Sequence, residues 1–260
     1  MAEGAGGIER AGEPADRIAF LGHSTVLIEL DGVRLLTDPL LRGRVAHLRR
    51  RAERIEAGAF ADLDAVLISH LHHDHLDLAS LRMLEGDTRL LVPNGAGAWL
   101  ERRSFAAVEE LAPGARAAVG RLVVEAVDAR HHGWRVGGPR SASVGYLARG
   151  THTVYFAGDT ELFDEMASLA GSVDVALLPI AGWGARLGPG HMDAQQAARA
   201  AVMLRPRVAI PIHWGTLTPI GSPRGASELQ EPARLFAEHL AQLAPEIDVR
   251  VLAPGQATLL

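Results

Sequence analysis

The chain has 260 residues, of which 48% are hydrophobic and 22% charged, as in a globular protein with a sizeable core. Its formal net charge is −5, so nucleic acid is not an expected partner. It has no cysteine, which excludes disulfides and thiolate metal sites and leaves nitrogen and oxygen as the available metal ligands.

The first fifteen residues are rich in Gly, Ala and Glu and lack the apolar core of a signal peptide. We therefore expect residues 1–15 to be a disordered tail. No apolar run approaches the ~20 residues that a membrane helix needs. We expect no membrane span and a cytoplasmic location.

The predicted elements begin with a β-hairpin over residues 17–37. Two apolar runs there flank Asp31-Gly32, a pair typical of a two-residue turn. A surface helix is predicted next, over residues 42–57. Its basic run Arg49-Arg50-Arg51 is followed closely by two glutamates, which favours a solvated helix face over a nucleic-acid site.

The rest of the chain alternates short apolar runs with segments of helical spacing. Further strands are predicted at residues 65–68, 89–92, 122–127, 144–148, 153–156, 173–178, 208–212 and 249–252. Further helices are predicted at residues 76–84, 161–169, 194–204 and 231–243. Asp193 and Gln196 predict a capping box for the third of these helices, and the glycine-rich segment 181–190 predicts a loop. The pattern indicates an α/β fold with two β-rich halves and outer helices.

The strongest chemical signal is the pattern H-x-H-x-D-H directly after the strand at residues 65–68. Imidazole nitrogen and carboxylate oxygen are ligands that suit zinc, manganese or iron. His70 and His72 can face one metal while Asp74 and His75 face another, and His73 is expected to point away. The alternative is a polar loop in which Asp74 caps a helix, but four ligand-type residues within six positions favour metal.

More potential ligands stand just after other predicted strands. They are the pair His131-His132, then Asp159 and His213. Strand ends deliver side chains to a cleft from a rigid scaffold. Each of these residues is ambiguous alone, and Asp159 would also suit a helix cap. Together with the cluster they supply the ligands that two metals require.

The order of these motifs resembles the metallo-β-lactamase superfamily. It is more closely similar to the branch that contains L-ascorbate-6-phosphate lactonase and N-acyl-phosphatidylethanolamine-hydrolysing phospholipase D. The matching segments are FLGHST at 20–25, TDP at 37–39, SHLHHDHLD at 69–77, AGDT at 157–160, LPI at 178–180, HMD at 191–193 and HWGT at 213–216. The resemblance implies an αββα sandwich, with residues 16–260 as a single metallo-hydrolase domain.

The resemblance also implies two ligand sets that share one bridging carboxylate. They are His70, His72 and His131 for one metal, Asp74, His75 and His213 for the other, and Asp159 between them. An alanine two residues before the ligand is the family's spacing, which favours His131 over His132. The implied cofactors are two divalent metal ions, zinc in the first place and manganese or iron as alternatives.

These residues predict a hydrolase of the lactonase, esterase or phosphodiesterase type. A hydroxide held by both metals is expected to attack a carbonyl carbon or a phosphorus. The candidate catalytic residues are Asp74, Asp159 and His191. The resemblance places a histidine near the substrate at His191, where it would protonate a leaving group or bind a phosphate, although a residue at a helix start fits the sequence too.

Several nearby residues have two interpretations each. Asp38 and Asp77 either hold a ligand histidine or serve a turn and a helix start. His23 either lines the cleft or is a hydrogen-bonded structural residue. Four further residues either contact the substrate or are ordinary packing and surface residues: Trp183, Arg186, Arg135 and Arg140.

Two other functions stay open on the sequence alone. A nuclease of the ribonuclease Z type shares the fold and the cluster, but the net charge of −5 and the lack of a recognisable RNA-binding arm disfavour it. A non-catalytic metal-binding protein is disfavoured by the complete ligand set. We expect a small-molecule substrate. The arginines after His131 would suit an anionic one, but solvated surface arginines are the default interpretation. The sequence does not indicate the oligomeric state.

Overall fold

The structure is a computed structural model that describes residues 15–184 and 187–260. The tail predicted at residues 1–15 lies outside the described residues except for Ala15, and so does Arg186. In the described ranges, no helix is long and apolar enough to cross a membrane. The cytoplasmic location stays a prediction.

The described residues form seventeen strands and four α-helices. The strands are β1 Arg17–Gly22, β2 Thr25–Leu30, β3 Val33–Thr37, β4 Arg44–Val45, β5 Leu48–Arg50, β6 Ala65–Leu67, β7 Arg89–Pro93, β8 Val108–Leu111, β9 Arg116–Val119, β10 Leu122–Asp128, β11 Val144–Arg149, β12 Thr153–Phe156, β13 Val175–Pro179, β14 Val208–Ile212, β15 Leu217–Pro219, β16 Asp248–Val249 and β17 Gln256–Leu259. The helices are α1 Leu78–Leu81, α2 Gly97–Glu101, α3 Ala194–Leu204 and α4 Ala226–Leu243, and short 3₁₀ helices span Ala57–Phe60 and Asp164–Leu169.

Two seven-stranded sheets form the centre of the fold. Their strand orders are β17-β1-β2-β3-β6-β7-β8 and β16-β14-β13-β12-β11-β10-β9. Side chains alternate across each strand, so Ile18 and Phe20 join a core shared with the second sheet, while Ala19 and Leu21 join a second core. That second core contains residues of α1 and α2, and α3 and α4 pack on the other sheet. The arrangement confirms the predicted αββα sandwich.

The hairpin predicted over residues 17–37 is confirmed. β2 and β3 pair antiparallel up to Leu30 and Val33. Asp31 and Gly32 between them both have positive φ, at 49° and 77°. A two-residue turn with positive φ at both positions matches the right-handed twist of its strands, which explains the preference for this pair.

The surface helix predicted over residues 42–57 is wrong. The segment instead supplies β4 and β5, which form a three-stranded sheet with β15. Val45 and Leu48 are buried against Leu40 and Leu217. Arg50, expected on a solvated face, is buried, and its guanidinium donates to the carbonyl oxygen of Leu21. Local spacing could not reveal this because the partner strand β15 lies far along the chain.

The helix predictions had mixed outcomes. α3 and its capping box of Asp193 and Gln196 are confirmed. The helix at residues 76–84 is only the four-residue α1, and the one at residues 161–169 is a short 3₁₀ helix. α4 begins five residues before the predicted start and contains Pro232. The proline lacks an N–H for the carbonyl of Glu228, and Arg224 donates to that carbonyl instead, at 3.5 Å.

The strand directions bring several chain segments to one edge of the sandwich. β3 and β6 are parallel neighbours in the first sheet, and β12, β13 and β14 are parallel neighbours in the second. Parallel strands end at the same edge of a sheet, and open α/β sheets commonly bind ligands beyond the carboxyl ends of such strands. The loops after β3, β6, β12 and β14 carry Asp38, the histidine cluster, Asp159 and His213.

Candidate metal centre

The cluster loop begins where β6 ends, and backbone hydrogen bonds hold it in place. The amide of Leu71 donates to the carbonyl oxygen of Gly133 at 3.0 Å, and the amide of Val144 donates to that of Ser69 at 3.0 Å. The cluster therefore lies against the segment between β10 and β11, which also carries His131. Gly133 is needed there because a Cβ on it would lie 2.4 Å from the Cβ of His70.

Three imidazoles form the first set of potential ligands. Nε2 of His70 lies 3.0 Å from Nδ1 of His72, and Nε2 of His131 lies 3.1 Å from that same Nδ1. Zinc holds imidazole nitrogens at ~2.0–2.1 Å, so nitrogens this close together are able to share one ion. Within the described ranges His132 joins no such group, and it is exposed. The geometry thus favours His131.

The second set combines a carboxylate with imidazoles. Nε2 of His75 lies 3.2 Å from Nε2 of His213. Oδ2 of Asp74 lies 3.8 Å from the former nitrogen and 3.9 Å from the latter. His23, from the turn between β1 and β2, joins this group, with Nε2 3.0 Å from the same oxygen of Asp74.

Asp159 lies between the two sets. Its Oδ2 is 3.9 Å from Nε2 of His70 and 3.1 Å from Nε2 of His75, and its Oδ1 is 3.3 Å from Nε2 of His213. The side chain is 2% exposed, and Oδ1 accepts no hydrogen bond from the described residues. Buried carboxylate oxygens usually have a partner, so an unsatisfied oxygen facing several imidazoles indicates a cation site.

Outer contacts fix the orientation of the potential ligands. Nδ1 of His75 donates to Oδ2 of Asp38 at 2.7 Å, and the backbone amide of Ser69 donates to Oδ1 of Asp38 at 2.7 Å. Nδ1 of His131 donates to the carbonyl oxygen of Gly190 at 2.8 Å, and Nδ1 of His213 donates to that of Ala181 at 2.6 Å. In each of these three histidines the proton of the neutral ring is on Nδ1. Nε2 is then unprotonated, which is the form that binds metal.

The electrostatics of the site agree with cation binding. Burial lowers the pKa of His131 to about 4 and that of His213 to about 3, so both rings are neutral at pH 7. Burial alone would raise the pKa of Asp159, but His213 and His75 outweigh it and hold that pKa well below its usual value. Burial opposes protonation of His75 too, yet the carboxylates around it raise its pKa well above the usual value. Carboxylates that draw positive charge onto a buried ring would attract a metal ion equally.

The backbone is strained around the second set. His23, Asp38 and His213 have positive φ, at 58°, 34° and 61°. Residues other than glycine adopt this region at a cost of about 1–3 kcal/mol, and such residues cluster at functional sites. Backbone hydrogen bonds hold all three residues. The amide of His213 donates to the carbonyl oxygen of His23 at 2.7 Å, and the amide of Asp38 donates to that of Leu67 at 2.9 Å.

Comparison with known proteins identifies the family. A model described as the beta-lactamase superfamily domain matches residues 33–214, more than half of the chain. The chain belongs to the metallo-β-lactamase superfamily. It is 33% identical to a metal-dependent hydrolase of Methanopyrus kandleri, over 93% of this chain and 98% of that protein. It is 28% identical to an N-acyl-phosphatidylethanolamine-hydrolyzing phospholipase D of Caenorhabditis elegans, over 78% of this chain and 64% of that protein.

Solved structures show the same fold. The chain matches Igni18, described as a metallo hydrolase of the archaeon Ignicoccus hospitalis, with a TM-score of 0.74 and 24% sequence identity. The match covers 94% of this chain and 98% of that one. At this identity the likeness concerns the fold alone. The predicted membership of the metallo-β-lactamase superfamily is thus confirmed by sequence and by fold.

His191 lies at the edge of this metallo-β-lactamase site. Its Nε2 is 3.3 Å from Oδ2 of Asp159, and its Nδ1 lies 3.1 Å from the carbonyl oxygens of both Gly188 and Pro189. Burial opposes protonation, but the hydrogen bond and charge of Asp159 raise the pKa of His191 above its usual value. The ring faces acceptors on both sides, which favours a proton on each nitrogen.

Other predicted residues lie outside the two sets. His73 points away as expected, and its Nδ1 lies 2.7 Å from Nη2 of Arg135. Nη1 of Arg135 also donates to the carbonyl oxygen of Leu76. These two contacts hold Arg135 against the cluster loop. Asp77 caps α1 through the amide of Ser80 and binds Arg42 with both oxygens, so it has the helix-start role.

The last three residues that the sequence left open are Trp183, Arg140 and His23, and they differ in their contacts. Trp183 packs against the small cluster of Leu40, Val45, Leu48 and Leu217, with its ring edge-on to His47. Arg140 is exposed. The sequence left His23 open, and the structure places it beside the second set, within hydrogen-bond distance of Asp74. Its place in the matching segment at 20–25 was the available signal.

Proposed function

We propose that this protein is a hydrolase that holds two divalent metal ions and cleaves a small ester, lactone or phosphodiester. One ion is assigned to His70, His72 and His131, and the other to Asp74, His75 and His213. Asp159 is assigned to both. Similarity to proteins named metal-dependent hydrolases over almost the whole chain supports the class of enzyme.

The position of Asp159 carries this proposal. A single buried carboxylate lies within 3.9 Å of imidazole nitrogens from both sets, and one of its oxygens lacks a hydrogen-bond partner among the described residues. A structural helix cap would satisfy that oxygen with a backbone amide. A carboxylate between two groups of imidazoles has the donor chemistry of a site for two cations.

The donor set fits zinc, manganese or iron, with zinc as our first choice. Two bound metals would supply a hydroxide near neutral pH and would polarise the carbonyl or phosphoryl oxygen of a substrate. The protein's own residues hold the ligands in place. Asp38 orients His75, and the carbonyl oxygens of Gly190 and Ala181 orient His131 and His213.

His191 is assigned the contact with the leaving group. Its Nδ1 is directed at the backbone carbonyls of Gly188 and Pro189, which fixes the ring so that Nε2 faces Asp159. The side chain is 21% exposed, more than that of Asp159, so it lies where a substrate would enter. From there its Nε2–H can donate to a departing alkoxide or to an oxygen of an anionic group.

Metal content and turnover test this proposal directly. Protein stripped with a chelator would be loaded with zinc or manganese, and its metal would be counted by mass spectrometry. We expect two equivalents per chain. Each preparation would then be assayed on bis-p-nitrophenyl phosphate, a panel of lactones and esters, and structured and single-stranded RNA. We expect turnover of at least one small ester, lactone or phosphodiester.

The controls separate the possible failures. A His152→Asn variant removes a histidine that pairs with Asp16 away from the site, and it should retain both metals and full activity. RNA cleavage without turnover of small substrates would replace the proposal by a nuclease. A protein that binds two metals and turns over nothing would be a metal-binding protein without this hydrolytic activity. Uptake of one equivalent would refute the two-metal centre.

A further inference from the structure

His23 lies beside the second set without belonging to the seven assigned ligands. It is 1% exposed, its Nε2 lies 3.0 Å from Oδ2 of Asp74, and its ring centroid lies 3.9 Å from that of His213. We propose that His23 is a positioning residue whose Nε2–H donates to Asp74 and holds this carboxylate in place for the second metal. The inference rests on the proposed two-metal function.

The contacts of Asp74 make His23 important. Among the described residues, His23 is the one side chain that hydrogen-bonds Asp74. The accepting oxygen, Oδ2, is also the one that lies 3.8 Å from Nε2 of His75 and 3.9 Å from Nε2 of His213. An oxygen with two lone pairs can accept from His23 and still face a cation. Without His23, no side-chain hydrogen bond from the described residues would oppose rotation of this buried carboxylate.

The backbone of His23 is held on both sides. Its amide donates to Oγ1 of Thr216 at 2.7 Å, and its carbonyl oxygen accepts from the amide of His213 at 2.7 Å. Its φ of 58° is in the left-handed region. A strained residue persists only where its surroundings fix it, and here they fix it with the segment that carries a metal ligand. One turn thereby links Asp74 and His213, which come from opposite sheets.

The second set thus has two complementary supports. Asp38 is a carboxylate that accepts from the ligand histidine His75, which is the common arrangement around metals. His23 is the reverse, a histidine that donates to the ligand carboxylate Asp74. Outer contacts of this kind are typically worth about 10-fold to 100-fold in metal affinity. We expect an effect of that size, limited to the second metal.

A His23→Asn variant tests the inference because asparagine tolerates a positive φ but is too short to reach Asp74. Zinc would be titrated calorimetrically into chelator-stripped protein. We expect the first equivalent to bind as in the wild type, and the second to bind about 10-fold to 100-fold more weakly. The matched control is His152→Asn, which should bind both equivalents as the wild type does.

Two further variants test whether the His23 side chain acts through Asp74. His23→Gly removes the side chain and also relieves the left-handed backbone strain, and we expect it to lose as much second-site affinity as His23→Asn. In an Asp74→Asn background, His23→Asn should cause little additional loss, because the two residues act through one hydrogen bond. Circular dichroism of each variant would establish that it is folded.

The outcomes distinguish the inference from the function on which it rests. Two equivalents bound with unchanged affinity by both His23 variants would overturn the positioning role and leave the two-metal function intact. Equal weakening of both equivalents would also overturn it, since a general structural role would have that effect. A wild type that binds a single equivalent would refute the two-metal function itself, and the positioning role would fall with it.

Discussion

The two sets of potential ligands differ in composition and in their outer contacts. The first set consists of three imidazoles, two of them from one short loop, and an outer contact to its third member comes from a neutral backbone carbonyl, that of Gly190. The second set contains a carboxylate, has another carboxylate behind it in Asp38, and lies among strained residues. Negative charge is therefore concentrated on the second set, which should make it more sensitive to changes in the side chains around it.

Asp159 is the carboxylate that we assign to both sets, so its removal should produce the largest effect. Asp159→Asn keeps the shape but removes the charge that faces both sets. We expect activity to fall by about 10³-fold or more, with loss of at least one metal equivalent. Steady-state kinetics and metal analysis of the same preparation would measure this. A fully metallated and fully active variant would contradict the assignment of Asp159.

His191 touches Asp159 but belongs to neither set, so its loss should affect chemistry more than metal content. For His191→Gln we expect kcat to fall by about 10²-fold on a substrate with an alkoxide leaving group. The loss should be much smaller for a p-nitrophenolate leaving group, which departs without a proton. Equal losses on both substrates, with both metals retained, would show that His191 does not donate the proton.

Asp38 tests whether the second set depends on charge behind it. Asp38→Asn replaces the carboxylate that accepts from Nδ1 of His75 and from Ser69. We expect affinity for the second metal to fall about 10-fold to 100-fold, while the first equivalent binds as before. Zinc titration would measure both steps. A lower affinity for the first metal alone would reverse the proposed difference between the sets.

Substitution of Asp77 should have the smallest effect, although Asp77 lies only two residues after the cluster. It caps α1 and binds Arg42, and it contacts no member of either set by hydrogen bond or ion pair in the described ranges. Asp77→Ala should lower the free energy of unfolding by about 1–2 kcal/mol. Asp77→Asn, which keeps a capping oxygen, should lower it less. Urea unfolding would test both, and a specific loss of metal affinity would place Asp77 in the metal centre instead.

The sequence predicted well where the signal is local. The hairpin at residues 17–37 follows from apolar runs around Asp31-Gly32, and α3 follows from its capping box. Both depend on residues within a few positions of each other. The prediction of a helix at residues 42–57 was wrong because the spacing of Val45 and Leu48 suits a helical face and a strand pair equally. Pairing of β5 with β15 makes the segment a strand. The pairing partner of a strand is not encoded in its own spacing.

The site likewise has a part that local sequence predicts and a part that depends on tertiary contacts. The sequence by itself determined the cluster from His70 to His75, because four ligand-type residues in one short loop are recognisable without any partner. The tertiary structure decided that His131 rather than His132 turns toward His72, that Asp38 holds His75, and that His23 reaches Asp74. Those contacts join residues from different strands and both sheets, and their geometry is fixed only when the packed sandwich brings the strand ends to one edge.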